Sequence, residues 1–309
     1  MENFKIMFAP VQGHTDAAYR NMHARMCGGA DIYFTPFIRI EKGSARKRDL
    51  TDLYASLSEG NHTVAQVIFK NTDELKCLLD TLVSDGVGEI DLNMGCPFPL
   101  QTARGRGAAT IGNRTLAEDV AKLLPDYPDV KFSMKIRLGM ENGQEWKESL
   151  EAVNSMPLRW LTVHPRFARQ QYGGTPDLDA FSEIAGATVH PLVYNGDLLT
   201  PADIDSIRDR FPSLHGVMIG RGLLGRPSLA REYSSGTELP KDQRVAEMKA
   251  FHDALFEGYS SVLCGDAQIL CKIKPFWEYA ENEIGRKPWK AIRKASTMPK
   301  YLTALAGIE

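Results

Sequence analysis

Eight short stretches of apolar and β-branched residues recur at intervals of roughly 25 to 40 residues, and this spacing restricts the fold more than any other feature. They are KIMFAPV (5–11), DIYFTPF (31–37), VAQVIFK (64–70), EIDLNMG (89–95), KFSMKIRL (131–138), RWLTVHP (159–165), HPLVYNG (190–196) and GVMIGRG (216–222). Several are nearly continuous apolar runs, the pattern of parallel strands covered on both faces. Each interval has room for a strand and a crossover helix, and the intervals carry helix punctuation. Asn71 with Glu74 predicts a capped start for TDELKCLLDTLVSDG, in which Leu75, Leu78, Leu79 and Leu82 share one face and Gly86 ends the helix. Thr115 with Glu118 predicts a similar box before DVAKLL, stopped by Pro125, and Thr200 before Pro201 reads as an N-cap with proline at the first helical position. Eight such units close naturally into an α/β fold, the (β/α)8 or TIM barrel.

The pattern changes after the polar stretch YSSGTELPKDQ (233–243). Beyond it three long segments are helical in period, so the chain is expected to divide into a barrel over 1–235 and a C-terminal helical domain over 242–309. At 309 residues and 43% hydrophobic content the chain can bury a full core. No stretch approaches the roughly 20 apolar residues that cross a bilayer, and the start MENFKIMFAPVQG lacks a basic n-region and a small-residue cleavage site. The five cysteines (27, 77, 96, 264 and 271) form no CxxC pair and are odd in number, which suggests neither a metal site nor a disulfide frame. A cytoplasmic protein without membrane or metal partners, acting as a monomer, is the expectation. The net charge of −2 selects no partner by itself.

In a barrel of this kind chemistry collects at the C-terminal ends of the strands. Those ends carry Gln12, Arg39, Gln66, Asn93, Cys96, Lys135, Arg137, His164, Arg166, Asn195, Asp197 and Arg221. One polar residue at a strand end is an ordinary loop hydrogen-bonder; this many on one face make a ligand mouth the better reading. YNGDL (194–198) and IGRGLLGRPSL (219–229) add glycine-bearing turns before helix starts, in the two units where barrels often hold a phosphate, and so point to a phosphate-bearing cofactor. Cys96 stands between Gly95 and Pro97 just past a strand end, an unusual place for a merely structural thiol.

The motifs APVQGHTD (9–16), DLNMGCP (91–97), MKIRLG (134–139), YNGD (194–197) and IGRGLLG (219–225) together resemble the tRNA-dihydrouridine synthases, in order and over the whole chain. That family joins a barrel holding flavin mononucleotide (FMN) to a C-terminal helical domain. Two positions depart from its pattern: Val11 replaces the usual methionine, and HPRF (164–167) replaces a His-Gly-Arg-Thr or His-Ala-Arg-Thr motif. The resemblance implies that Pro10, Val11 and Gln12 line the flavin, that Gln66 and Lys135 meet its polar edge, and that His164 hydrogen-bonds it. It further implies that Asn195, Gly196, Asp197, Gly220 and Arg221 hold the ribityl chain and phosphate, with NADPH as reductant. Reducing the uracil C5=C6 bond takes a hydride and a proton, and the resemblance makes Cys96 the proton donor. A thiol with an ordinary pKa near 8.5 stays mostly protonated at neutral pH, as an acid must. The stretch QTARGRGAAT (101–110) reads as a mobile basic lid.

A uridine in folded tRNA must leave its stack to reach a barrel mouth. By the same resemblance Asn93 meets the uracil edge, and Arg39 and Tyr172 meet the flipped nucleotide. Between Lys272 and Lys300 eight Lys and Arg stand against three Asp and Glu, interleaved with aromatics, which suits RNA phosphates and bases. Lys272, Lys274 and Arg293 are the candidate tRNA contacts there. With FIRI (37–40) and KIK (272–274), Arg293 most resembles the bacterial subfamily acting on position 16 of the D-loop. Two other readings are a flavin barrel acting on a free pyrimidine, like a dihydroorotate dehydrogenase, and a non-catalytic tRNA-binding protein.

Overall fold

The computed structural model describes residues 4–309, so the first three residues of the expected barrel segment lie outside the described residues. Ten strands are present among them: β1 (Lys5–Phe8), β2 (Ile32–Phe34), β3 (Ile40–Glu41), β4 (Ser44–Ala45), β5 (Thr63–Val67), β6 (Glu89–Met94), β7 (Lys131–Arg137), β8 (Leu158–His164), β9 (Leu192–Tyr194) and β10 (Gly216–Ile219). All but β3 and β4 form a closed parallel barrel in the order β1-β10-β9-β8-β7-β6-β5-β2. Its strands are the eight apolar segments of the sequence, and the C-terminal residues of most of those runs are left to shape the mouth. Side chains alternate as the pleat requires. Met7 faces an inner cluster with Phe34, Val64, Trp160, Val193 and Met218, whereas its neighbours Ile6 and Phe8 join the larger cluster outside.

Local signals decide most helix starts. Asn71 accepts a hydrogen bond from the Glu74 amide, the four predicted leucines of Thr72–Ser84 are all buried, and Gly86 follows with φ +81°. Thr200 caps Pro201–Arg210, completed into a capping box by Asp203. The expectation at Thr115 needs correcting. The helix runs Arg114–Leu123 and its cap is Asn113, which accepts from the Leu116 amide; Glu118 pairs with Arg114 instead. Two good capping residues stand two apart here, and starting at Asn113 lets Leu116, Ala117 and Val120 face inward together.

The expected basic lid is also corrected. Most of residues 101–110 is packed down, with only Ala103, Arg104 and Gly105 exposed: Gln101, Arg106, Ala108 and Thr110 are buried, and the Arg106 guanidinium forks onto Glu74 at 3.0 and 2.7 Å. Arg106 also donates to Ile40 O at 3.4 Å, tying the segment to the β3–β4 hairpin.

After β10 the chain is helical. Lys241–Val262, Asp266–Ile273, Arg286–Lys294 and Met298–Leu305 are the main helices beyond Gly236 and Pro240. Their apolar side chains join the outer barrel cluster, with Phe251 edge-on to Tyr19 at 4.9 Å. Asp16, the N-cap of Ala17–Met26, takes hydrogen bonds from Tyr259 Oη at 2.8 Å and Lys272 Nζ at 2.6 Å. Among the described residues no helix is long and apolar enough to cross a membrane.

Candidate active site

A cavity of about 520 Å³ opens at the C-terminal ends of the strands. Fourteen of the expected site residues lie on its wall: Pro10, Val11 and Gln12 after β1, Gln66 on β5, Asn93 and Cys96 at β6, Lys135 on β7, His164 on β8 and Tyr172 beyond it, Asn195, Gly196 and Asp197 after β9, and Gly220 with Arg221 after β10. Arg39, Lys272, Lys274 and Arg293 are not on that wall. Closed parallel topology makes this convergence, because every strand delivers its last residue to the same rim.

On one side the wall is neutral and tightly hydrogen-bonded. Asn93 Oδ1 accepts from the amides of Gly95 and Cys96 at 3.1 and 2.9 Å, holding the turn that carries the thiol. Its Nδ2 donates to Gln66 Oε1 at 2.7 Å, and Gln66 Nε2 donates to buried Asp91 at 2.7 Å. The segment after Cys96 folds back on it: Ala108 N donates to Cys96 O at 3.0 Å, and a Cβ on Gly107, already at φ +63°, would come within 2.8 Å of Cys96 Cβ. Burial pushes the Cys96 thiol above its ordinary pKa, against the Phe98 amide and the charges of Lys135 and Arg137. Cys96 is therefore a protonated thiol at neutral pH, the form that can give up a proton.

From β7 round to β10 the mouth is cationic, starting at Lys135, the register partner of Asn93. Lys135, Arg137 and Arg221 line the cavity with Arg166 beside them, and the carboxylate at the mouth, Asp197, pairs with Arg166 and with Arg221 at 2.5 Å. Burial opposes the charge on Asp197, but the Arg166 hydrogen bonds and the two guanidinium charges outweigh it and keep the carboxyl below its usual range. Burial, then the Arg137 charge, lowers Lys135 to about 8. His164 is held far below 6.5, first by burial and then by Arg137, Lys135, Arg166 and Arg221, so it is neutral. Arg166 Nη1 sits 3.1 Å from His164 Nε2 and can only donate, which puts the imidazole proton on Nδ1. Arg221 lies over the Tyr172 ring at 4.3 Å.

This surplus of positive charge fits an anionic, phosphate-bearing group. So does the close chain approach at Gly222, where a Cβ would meet Leu198 O at 1.9 Å. The volume lies in the range of cofactor clefts. The residues present therefore fit a flavin phosphate.

The structure adds what sequence reasoning left out. Arg166 stands at its expected strand end, but nothing in the sequence links it to Asp197. Tyr279, from the helical region, lines the cavity, and burial raises its phenol to about 12. It lies far beyond β10 along the chain, and its neighbourhood gives no local signal.

Of the expected tRNA contacts, Asn93 is 6% exposed and Tyr172 49%, both at the cavity, while Arg39 lies 3.7 Å from Glu41 on the hairpin. The Lys272 ammonium is committed to Asp16 and the Lys274 ammonium donates to Ala295 O at 2.9 Å. The exposed basic surface of the helical region is instead the helix Arg286–Lys294, where Arg286, Lys287, Lys290, Arg293 and Lys294 face solvent and Arg293 stacks on Trp289 at 4.6 Å.

Comparison with known proteins agrees with this geometry. The chain is 27% identical to a probable tRNA-dihydrouridine synthase of Treponema pallidum, over 94% of this chain and 89% of the relative. It is 27% identical to a tRNA-dihydrouridine(16) synthase of Neisseria meningitidis, over 82% of this chain and 78% of the relative. Among solved structures, the old yellow enzyme from Trypanosoma cruzi superposes with a TM-score of 0.53 at 10% identity, covering 76% of this chain and 89% of that one, a likeness of fold alone. A family model described as dihydrouridine synthase matches residues 7–299, and the chain belongs to the dihydrouridine synthase family.

Proposed function

We propose that this protein reduces uridine to 5,6-dihydrouridine in the tRNA D-loop, at position 16, with FMN as cofactor and NADPH as reductant. The observation that carries the reading is Cys96: a half-buried thiol kept protonated on the wall of a cavity that also carries Lys135, Arg137 and Arg221. Bound flavin in its reduced form supplies the hydride for C6 of the uracil ring. The chain supplies the rest. The Cys96 S–H bond breaks as a C5–H bond forms, the C5=C6 double bond becomes single, and the thiolate recovers its proton from solvent.

Lys135 holds positive charge against the polar edge of the flavin, and Gln66 meets that edge beside it. Neutral His164, with its proton on Nδ1, offers the flavin a donor. Arg221, Asp197, Asn195 and the glycines 196 and 220 hold the ribityl chain and phosphate, with Pro10, Val11 and Gln12 along the ring. FMN is favoured over the dinucleotide because no separate adenine-binding unit accompanies the barrel among the described residues. Asn93, Arg39 and Tyr172 meet the flipped uridine, and the helical domain from residue 242 binds the RNA backbone in the cytoplasm. Position 16 is supported by FIRI, KIK and Arg293, and by the name of the Neisseria relative.

The test is a site-resolved map of dihydrouridine in tRNA from cells lacking the protein. Loss at position 16 alone is expected. Loss at another D-loop position refutes the choice of uridine, and an unchanged map refutes the function. Purified protein should release FMN on denaturation; release of the adenine dinucleotide refutes the cofactor assignment.

A further inference from the structure

Beneath the cavity six polar groups form one unbroken chain, and its direction has no freedom. Asp91 is fully buried on β6 and accepts at both oxygens, from Ser133 Oγ at 2.6 Å and from Gln66 Nε2 at 2.7 Å. Gln66, also fully buried, turns its oxygen to Asn93 Nδ2 at 2.7 Å. Asn93 turns its oxygen to the amides of Gly95 and Cys96 at 3.1 and 2.9 Å. A carboxylate only accepts and a backbone amide only donates. With an acceptor at one end and donors at the other, each amide side chain has a single orientation that leaves no buried group unpaired.

We propose that Asp91 is a positioning residue whose acceptor oxygen, acting through Gln66, keeps Asn93 oriented so that its oxygen holds the Cys96 turn and its remaining N–H faces the substrate. Asp91 touches neither substrate nor thiol. Its effect is one of polarity. Both lone-pair sites of Asn93 Oδ1 are taken by the turn, and one Nδ2 hydrogen is taken by Gln66. Asn93 therefore has one hydrogen-bond donor left and no acceptor. Such a residue pairs with a ring carbonyl and not with a ring N–H or an exocyclic amino group. The relay thus ties the acid's position to the presentation of one hydrogen-bond donor to a carbonyl of the pyrimidine ring at the same cavity. The substrate half rests on the function proposed above; the positioning half does not.

The polarity makes an unusual rescue available. Asp91→Asn can keep its oxygen toward Gln66 and offer its N–H to Ser133 Oγ, which can accept, so the relay survives. Asn93→Asp puts acceptors at both ends of Gln66, so one pair must break. Combining the two restores a consistent chain in the reverse sense. The amide introduced at position 91 donates to Gln66 Oε1, and Gln66 Nε2 donates to the carboxylate introduced at position 93. That carboxylate still accepts from the Cys96 amide. Wild type, the two single variants and the double variant, all full-length and purified with flavin, are compared by melting temperature and by the rate at which iodoacetamide labels Cys96, read on the Cys96 peptide. Expected is a rate within about threefold of wild type for Asp91→Asn, a change of about tenfold or more for Asn93→Asp, and recovery to within about threefold in the double variant, with melting temperature following the same order. A double variant as disturbed as Asn93→Asp alone overturns the proposal, as does an Asp91→Asn variant as disturbed as Asn93→Asp. A purely structural carboxylate gives no such mutual rescue. Uridine turnover on tRNA is the second readout: the double variant presents an acceptor where wild type presents a donor, so turnover stays lost although the turn is restored. If labelling is rescued and turnover returns with it, the relay stands and the donor reading of Asn93 falls.

Discussion

Lys135 should make flavin binding pH-dependent above neutrality. Burial and the neighbouring Arg137 lower its ammonium to about 8, while Asp91 and Cys96 pull the other way. The sign follows directly: a lysine whose pKa is depressed loses its charge as pH rises through about 8, earlier than a free lysine would. If only the charged form grips the polar edge of the flavin, the apparent dissociation constant scales as one plus the ratio of neutral to charged lysine. That ratio is about 0.1 at pH 7 and about 10 at pH 9, so binding weakens about tenfold, or about 1.4 kcal/mol. The flavin phosphate is mostly doubly ionised across this range, with its second pKa near 6, and adds little to the slope. Lys135→Met removes a charged hydrogen bond worth about 1.5–3 kcal/mol, so its affinity at pH 7 should be about 10- to 150-fold weaker and flat with pH. The assay is a titration of flavin-free protein with FMN at pH 7, 8, 9 and 9.5, read by quenching of flavin fluorescence. The same tenfold decline in Lys135→Met would show that another group titrates and would refute the reasoning.

Cys96→Ala should retain flavin and accept hydride from NADPH normally, because neither process uses the thiol, while uridine reduction on tRNA falls by about 10²–10⁴, measured as single-turnover reoxidation of the flavin. Gly222→Ala places a methyl group 1.9 Å from Leu198 O, so the loop after β10 must move; loss of bound flavin on gel filtration is expected, with the other strands keeping the barrel folded in circular dichroism. Neutralising Lys287, Lys290, Arg293 and Lys294 should weaken tRNA binding and reduce the slope of log affinity against log salt by about 3, measured by filter binding between about 50 and 200 mM salt, with flavin content unchanged. An unaltered slope would make that exposed helix face mere solvated surface. Lys272→Met should instead lower the melting temperature by releasing Asp16, with little effect on the salt slope, since its charge is already paired with that carboxylate.

What the sequence made legible was whatever is decided locally or by periodicity. Buried parallel strands need near-continuous apolar runs, so all eight barrel strands could be read, and because their ends converge by topology alone the cavity wall could be read with them. Asn71 and Thr200 were legible because a cap and its partner lie within one turn. The rest depends on partners far along the chain. Lys272 looks like a free cation until Asp16, 256 residues away, is brought beside it. Arg106 looks like part of a mobile basic lid until Glu74 and Ile40 O claim its guanidinium. The β3–β4 hairpin escaped because its strands are two residues each, too short for any period, though Lys42 and Gly43, both at positive φ, form its turn. Asp91 reads as one more strand residue, and only the fold shows that Ser133 and Gln66 both end on it.

The helical region also reaches the chemistry by a short path. The basic helix Arg286–Lys294 carries Trp289, whose Nε1 donates to Glu278 O at 3.1 Å. The Glu278 carboxylate lies 2.8 Å from Nε2 of His14, in the loop that follows β1, and the next residue, Tyr279, is part of the cavity wall. The His14–Glu278 pair alone is worth little, since half of the Glu278 side chain is in water. Rigidity comes from what flanks it. Trp277 and Ala280 are buried in the common core on either side, so residues 278 and 279 cannot drift from the mouth without opening that core. An RNA backbone laid along the exposed face of this helix is thereby placed in a fixed relation to Tyr279 and to the β1 loop. On the function proposed above, a displaced nucleotide would enter a cavity whose position relative to its own phosphates is already set. That would be a geometric condition for selecting one uridine among several in a loop, supplied by the packing of the helical region on the barrel.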